Sequence, residues 1–242
     1  TVEEAQADPA KAEVFYHYMD PNQMPMGPME TQAGERIKGI EDYLTSAQYA
    51  QGTPHEGKVV EDILDQFPLL SRGNKFHAML ATSSIPEAIN YYRLFKERAP
   101  QMHVTALFDP NVDNSNGAIL KGDALQEIIG DYNELFGKDF IIPTWPKMKK
   151  DITARLSHKR PYLTVDQHRE ERIDLLIVVD QMLTGFDSKW VNTLYLDKII
   201  DYENIIQAFS RTNRLFGPDK PFGTIRYYRK PHTMKGYIEA AV

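Results

Sequence analysis

Apolar residues recur along this chain with two different periods, and the alternation between them lays out its elements. Val59, Val60, Ile63, Leu64 and Phe67 stand at the spacing of one helix face, and residues 76–82 form a short, mostly apolar run bounded by Gly73 and Ser83. The pair predicts a helix followed by a strand. Ser84 as N-cap and Pro86 in the first turn open a second helix, with Ala88, Ile89, Tyr92 and Phe95 as its buried stripe. Residues 102–108 read as another buried strand and 109–122 as turn-rich. Residues 123–136 carry the helical period through Leu125, Ile128, Ile129, Tyr132 and Leu135, and 145–156 predict a further helix. Residues 173–179 are apolar on both faces, which places this strand in the middle of a sheet with helices above and below. A fourth strand over 192–197, a helix over 203–215 and a fifth strand over 223–229 complete the pattern.

Helix and strand alternating in this way require an α/β fold with a mainly parallel central sheet. Residues 1–52 break the pattern. Pro21, Pro25, Gly27 and Pro28 punctuate a Met-rich run, with Gly34, Gly39 and Gly52 behind it. They predict an irregular connecting segment with one short helix over 37–49, ahead of a domain spanning 53–242. No internal repeat or low-complexity tract interrupts it.

Composition narrows the classes. With 242 residues and 42% hydrophobic content the chain can bury a sizeable core. It has no apolar run near the roughly 20 residues that span a bilayer and no signal-like start. The absence of cysteine excludes disulfides, thiolate nucleophiles and the usual zinc knuckles, and it fits a soluble, cytoplasmic chain. The chain begins without Met, which suggests a processed chain or, the preferred expectation, a piece cut from a longer polypeptide. Its net charge of −6 is unevenly spread: residues 1–70 carry 4 Lys and Arg against 13 Asp and Glu, and the remainder 24 against 21. A basic cluster gathers at Lys147, Lys149, Lys150, Arg155, Lys159 and Arg160. Such a cluster is either a solvated helix face or a contact for DNA phosphates.

Ligands of open α/β sheets sit beyond the carboxyl ends of the strands. After the strand over 173–179 comes DQMLTGFD, in which Gly185 lets the backbone approach a ligand closely and Asp187 offers a carboxylate to a ribose hydroxyl. After the fourth strand, Gln207, Ser210, Arg211 and Arg214 recur at steps of three and four. If helical, they share a face suited to a triphosphate. Plainer readings stand beside these. Ser83 and Ser84 are an ordinary capping pair before Pro86, Asp187 is a second candidate N-cap, and Arg211 or Arg214 can pair with surface acids. The seven His residues show no metal-ligand spacing, and no metal role is assigned.

The stretch LLIVVDQMLTGFDSKWVNTLYLDK followed by IIQAFSRTNR resembles helicase motifs V and VI, and within superfamily 2 the wording TGFD, TLYLDK and QAFSRTNR is most similar to the R subunit of type I restriction enzymes. KVVEDIL and AMLATSSIPEAINYY, which is similar to the motif IV region, add weaker support. The resemblance implies the second RecA-like domain of a motor, a three-layer α/β/α fold. By that likeness Arg211 and Arg214 approach the γ-phosphate of ATP across an interdomain cleft, with Arg214 as the finger. Gln207 orients them and Ser210 joins the phosphate face. Thr184, Gly185 and Asp187 shape the loop at the nucleotide and the DNA, and Ser83 and Ser84 offer hydroxyls and amides to phosphates. Lys147, Lys149 and Lys150 are the outlying DNA contacts. Implied partners are double-stranded DNA, modification and specificity subunits, and a first RecA-like domain on the same polypeptide, with no membrane.

A motor ATPase also needs GxxxxGK[ST] and an acidic pair to hold Mg²⁺, and neither motif is present. ATP and Mg²⁺ are therefore expected mainly on the preceding domain, and the chain alone is expected to be inactive. No nuclease centre is recognisable. Two other readings stay open: another superfamily 2 helicase, and a RecA-like binding module without catalysis. The presence of both arginines speaks against the second.

Overall fold

The computed structural model describes residues 26–30, 36–49, 53–109, 118–179, 188–200, 202–210, 212, 214 and 216–241. Its centre is a sheet of five strands, all parallel: β3 (His77–Thr82), β4 (Val104–Leu107), β5 (Leu175–Val179), β6 (Val191–Asp197) and β7 (Thr224–Tyr227), in the order β4-β5-β3-β6-β7. Helix α1 (Pro54–Leu70) leads into β3; parallel pairing requires crossovers, and α2 (Ile85–Arg98), α3 (Ala118–Phe136), α4 (Trp145–Leu156) and α5 (Tyr202–Ser210) supply them. A two-stranded antiparallel ladder, β1 (Met29–Glu30) with β2 (Arg36–Ile37), and two 3-10 turns, Ile40–Tyr43 and Ser46–Tyr49, precede them. A final helix, α6 (Pro231–Ala241), follows β7 and packs on α5.

The register shows why the sheet needs helices on both sides. Thr82 pairs with Asp197 across one ladder and with Val179 across the other, so Thr82, Leu80 and Asp197 share one face, while His77, Met79 and Ala81 share the other. His55 of α1 and Tyr91 of α2 reach Asp197 on the first face. His158, just after α4, meets His77 on the second. Every residue of β3 and β6 is buried, as is expected of strands covered twice. This is the RecA-like three-layer α/β/α fold.

Three sequence expectations need correction. The middle strand is β3, with β5 beside it, because β6 pairs with β3 rather than with β5. An apolar strand reads as buried whether it is central or one place removed, so composition cannot rank the two. Of the described residues in the segment 203–215, the helix is Tyr202–Ser210; Thr212 lies in a turn and Arg214 outside any element, so Arg214 does not extend a helical face with Gln207 and Ser210. The expected short helix over 37–49 is two 3-10 turns joined by extended residues. Helix α6 was not anticipated, although Met234, Tyr237 and Ile238 carry a helical spacing that could have revealed it.

Candidate functional site

All five strands run in one direction, so their carboxyl ends gather at one edge of the sheet. Thr82, Val179, Asp197, Tyr227 and Leu107 stand there, and the exits that follow them carry the chain's polar chemistry. The β5 exit, with Thr184, Gly185 and Asp187, and the position of Arg211 lie outside the described residues. Gln207 and Ser210 are exposed on α5, where the Ser210 hydroxyl donates to the Gln207 carbonyl at 2.7 Å. Arg214 is exposed beyond the helix. Lys147, Lys149 and Lys150 are exposed on α4, whose opposite side buries Met148, Ile152 and Leu156.

Ser84 is the N-cap of α2: its backbone is extended and its Oγ accepts from the Glu87 amide at 3.4 Å. The Glu87 carboxylate turns back and accepts the Ser83 amide at 3.0 Å. The amino end of α2 thus already holds a negative charge, the place where an exposed helix start would otherwise attract a phosphate.

That charge is matched by a buried cation absent from the sequence reading. Arg229, in the turn after β7, donates from Nη2 to Glu87 Oε2 at 3.0 Å and from Nη1 to Ser83 Oγ at 3.1 Å. It also forks onto Asp197, from Nε at 3.0 Å and from Nη2 at 3.1 Å. His55 Nε2 lies 2.6 Å from Asp197 Oδ1, and the Tyr91 hydroxyl donates to Oδ2 at 2.7 Å. Asp197 is fully buried. Burial alone would raise its pKa, but the hydrogen bonds and charges of His55 and Arg229 outweigh it and hold the carboxyl down to about 2. For Arg229, burial would weaken the charge and the carboxylates of Asp197 and Glu87 reverse that, raising its pKa. Around one fully charged pair, the cluster fastens α1, α2, β6 and the turn after β7 together. Its sequence signal was slight: an acid at the end of β6 and an arginine two residues beyond β7.

Two further polar clusters lie elsewhere. Arg155 is buried between the Phe136 and Tyr162 rings, at 3.9 and 4.1 Å, and donates to Asp151 at 3.0 Å. The hydroxyls of Tyr132 and Tyr162 donate to the same carboxylate. Arg155 is therefore a core residue, not part of the exposed basic face assigned from sequence. At the start of β3, His77 Nδ1 donates to the Ile173 carbonyl and its Nε2 lies 2.9 Å from His158 Nε2, whose ring stacks on Trp190 at 3.7 Å. Among the described residues no group of acids and histidines is arranged to hold a metal ion.

Five parallel strands between helices, with polar side chains converging at the carboxyl edge, define a RecA-like α/β domain. The chain belongs to the type I restriction enzyme R subunit family: the model of "Type I restriction enzyme subunit R domain 3" matches residues 74–230. It is 33% identical over 179 residues to the endonuclease subunit of type I restriction enzyme SauCOLORF180P of Staphylococcus aureus strain COL, covering 71% of this chain and 18% of that subunit. To the SsaAORF53P endonuclease subunit of Staphylococcus saprophyticus it is 31% identical over 212 residues, 83% of this chain and 21% of that one. The chain thus spans about a fifth of the length of these relatives. The C-terminal part of the Fun30 ATPase domain is a remote likeness, with TM-score 0.39 and 10% identity over 78% of this chain and 49% of that one, too distant to bear on function.

Proposed function

We propose that this chain is the second motor domain of a DNA-translocating, DNA-cleaving R subunit, and that it supplies one side of an ATP site completed by a first RecA-like domain of the same polypeptide. The observation that carries the reading is the match to domain 3 of the R subunit together with the exposed Gln207, Ser210 and Arg214 after β6. The residues present suit the phosphate end of ATP: planar, permanently charged guanidiniums can stabilise charge spreading over equatorial oxygens during phosphoryl transfer. Arg214 and Arg211 are assigned that task, with Arg214 as the finger. Gln207 orients the arginines and senses the nucleotide, Ser210 joins the phosphate face, Gly185 shapes its loop and Asp187 meets the ribose.

In this reading ATP and Mg²⁺ are held mainly by the first domain, which supplies the phosphate cradle and the metal. Ser83, Ser84 and Thr184 face double-stranded DNA, with Lys147, Lys149 and Lys150 as outlying phosphate contacts. Nucleotide-driven closing and opening of the two domains moves the duplex. Modification and specificity subunits complete the assembly, in the cytoplasm.

The test is Arg214→Ala in the full-length subunit, with Arg211→Ala beside it. DNA-stimulated ATP hydrolysis is expected to fall by about 10³-fold for the finger. Unchanged turnover in Arg214→Ala sinks the assignment.

A further inference from the structure

Residues 36–49 are attached to the turn after β7 and to the start of α6 at two points just beyond Arg229. The first is Tyr49. Its hydroxyl accepts the Lys230 amide at 3.3 Å, its ring lies 5.0 Å from the Arg229 guanidinium carbon, and its edge meets the His55 ring at 4.9 Å. The second is Glu41, buried at the start of α6, whose carboxylate accepts the His232 amide at 2.9 Å and the Thr233 amide and hydroxyl at 2.7 Å each. The segment fits tightly there: a Cβ on Gly39 would lie 2.3 Å from the Gly27 carbonyl, and one on Gly27 would lie 2.9 Å from His232 Cβ.

Arg229 precedes both attachment points, lies against the Tyr49 ring and is the cation that holds the β3 exit. It binds the Ser83 hydroxyl and faces both Glu87 and Asp197. A shift of the guanidinium would leave the Glu87 carboxylate uncompensated beside the Ser83 amide, at the place where a phosphate would have to approach. Tyr49 and Arg229 therefore link residues 36–49 to the electrostatics of Ser83 and Ser84 through an unbroken set of contacts.

We propose that Tyr49 is a positioning residue acting through Arg229: it sets the β3 exit for DNA, so that the segment leading in from the preceding domain controls how firmly this domain grips the duplex. This rests on the motor reading above. The arrangement is suited to such control because Arg229 is a single rigid fork shared by three acceptors, so it cannot move for one without changing the others.

The experiment uses the full-length subunit and linear double-stranded DNA, reading the DNA concentration that half-saturates ATP hydrolysis and, separately, the KM for ATP. Tyr49→Leu is expected to raise the half-saturating DNA concentration roughly three- to tenfold, within the range of coupling between contacting residues, and to leave the KM for ATP unchanged. Tyr49→Phe, which keeps the ring over Arg229, restores most of the loss. Combined with Ser83→Ala, Tyr49→Leu adds nothing beyond the larger single effect. Independent, multiplying effects of Tyr49→Leu and Ser83→Ala overturn the proposal, as does a parental half-saturation value in Tyr49→Leu. If Tyr49→Leu does not fold, Glu41→Gln loosens the other anchor and is held to the same outcomes. A parental subunit whose ATP hydrolysis ignores DNA overturns the motor reading itself, and this is read before any variant is made.

Discussion

The most instructive residues are those that chemistry forces to be charged or neutral. Asp197 has no contact with water, so its charge persists only because Arg229 and His55 surround it. Removing one partner of such a pair typically costs about 3–5 kcal/mol. His77 and His158 show the reverse case. Burial, reinforced by the charge of Arg172, holds His77 well below its usual pKa; burial, with Arg172 and Lys189 against Asp166, holds His158 down to about 4. Both are neutral in the folded protein near pH 6.5, whereas the unfolded chain binds protons there. The unfolded state therefore takes up more protons at these two sites as pH falls from about 7 toward 4, and their contribution to stability decreases over that interval. Urea unfolding at pH 7 and pH 5 should show it, and His158→Gln, which keeps a donor for His77 Nε2, should narrow the gap between the two midpoints. An undiminished gap would remove His158 from the account. These residues were not legible in the sequence, since a histidine at a strand start looks the same whether it is buried against another or exposed.

At the scale of elements, local sequence was a good guide wherever one face had to be buried. The stripe of Ala88, Ile89, Tyr92 and Phe95 lies inward on α2, Ser84 caps it, and the expected helix over 145–156 is α4 residue for residue. Elements that depend on distant groups leave no such local trace. α6 opens on Pro231 and His232 without a capping side chain of its own nearby. Its first amides are taken by Glu41, nearly two hundred residues earlier. Glu41→Ala should destabilise the protein by about 0.5–2 kcal/mol, the usual range for a lost cap. Hydrogen exchange at the His232 and Thr233 amides should accelerate more than at β3, and uniform exchange across the chain would show that the cap is not local. The helix expected to reach residue 215 likewise stops at Ser210, which moves Arg214 off the helical face and into the exit beyond it.

For the whole molecule, the proposed division of labour makes a direct prediction. A chain with arginines for the γ-phosphate but no phosphate cradle should not turn ATP over by itself, even with linear DNA present. Hydrolysis by the isolated chain, measured as phosphate release, would show that the site is not shared with another domain. No helix among the described residues is long and apolar enough to cross a membrane. The uneven charge also acquires a location: part of the acidic first stretch is spent on specific contacts, with Glu41 at α6, Glu56 against Asn90 and Asp62 against Arg226 and Tyr228.

The sequence by itself determined the class of fold and the family, because periodicity follows from burial and the motif wording from Asp174 to Arg214 is continuous along the chain. It also placed Ser83 and Ser84 at the β3 exit and Gln207 and Ser210 on the helix that follows β6, since a parallel sheet puts loop and helix after each strand. Only the tertiary structure decided that β3 is the middle strand, that Arg155 is core, and that Arg229, Asp197, His55 and Tyr49 form one cluster. The reason is physical: strand order and the Arg229–Asp197 cluster are set by contacts between residues from roughly thirty to nearly two hundred positions apart, whose energies depend on shared burial and geometry that no local window contains.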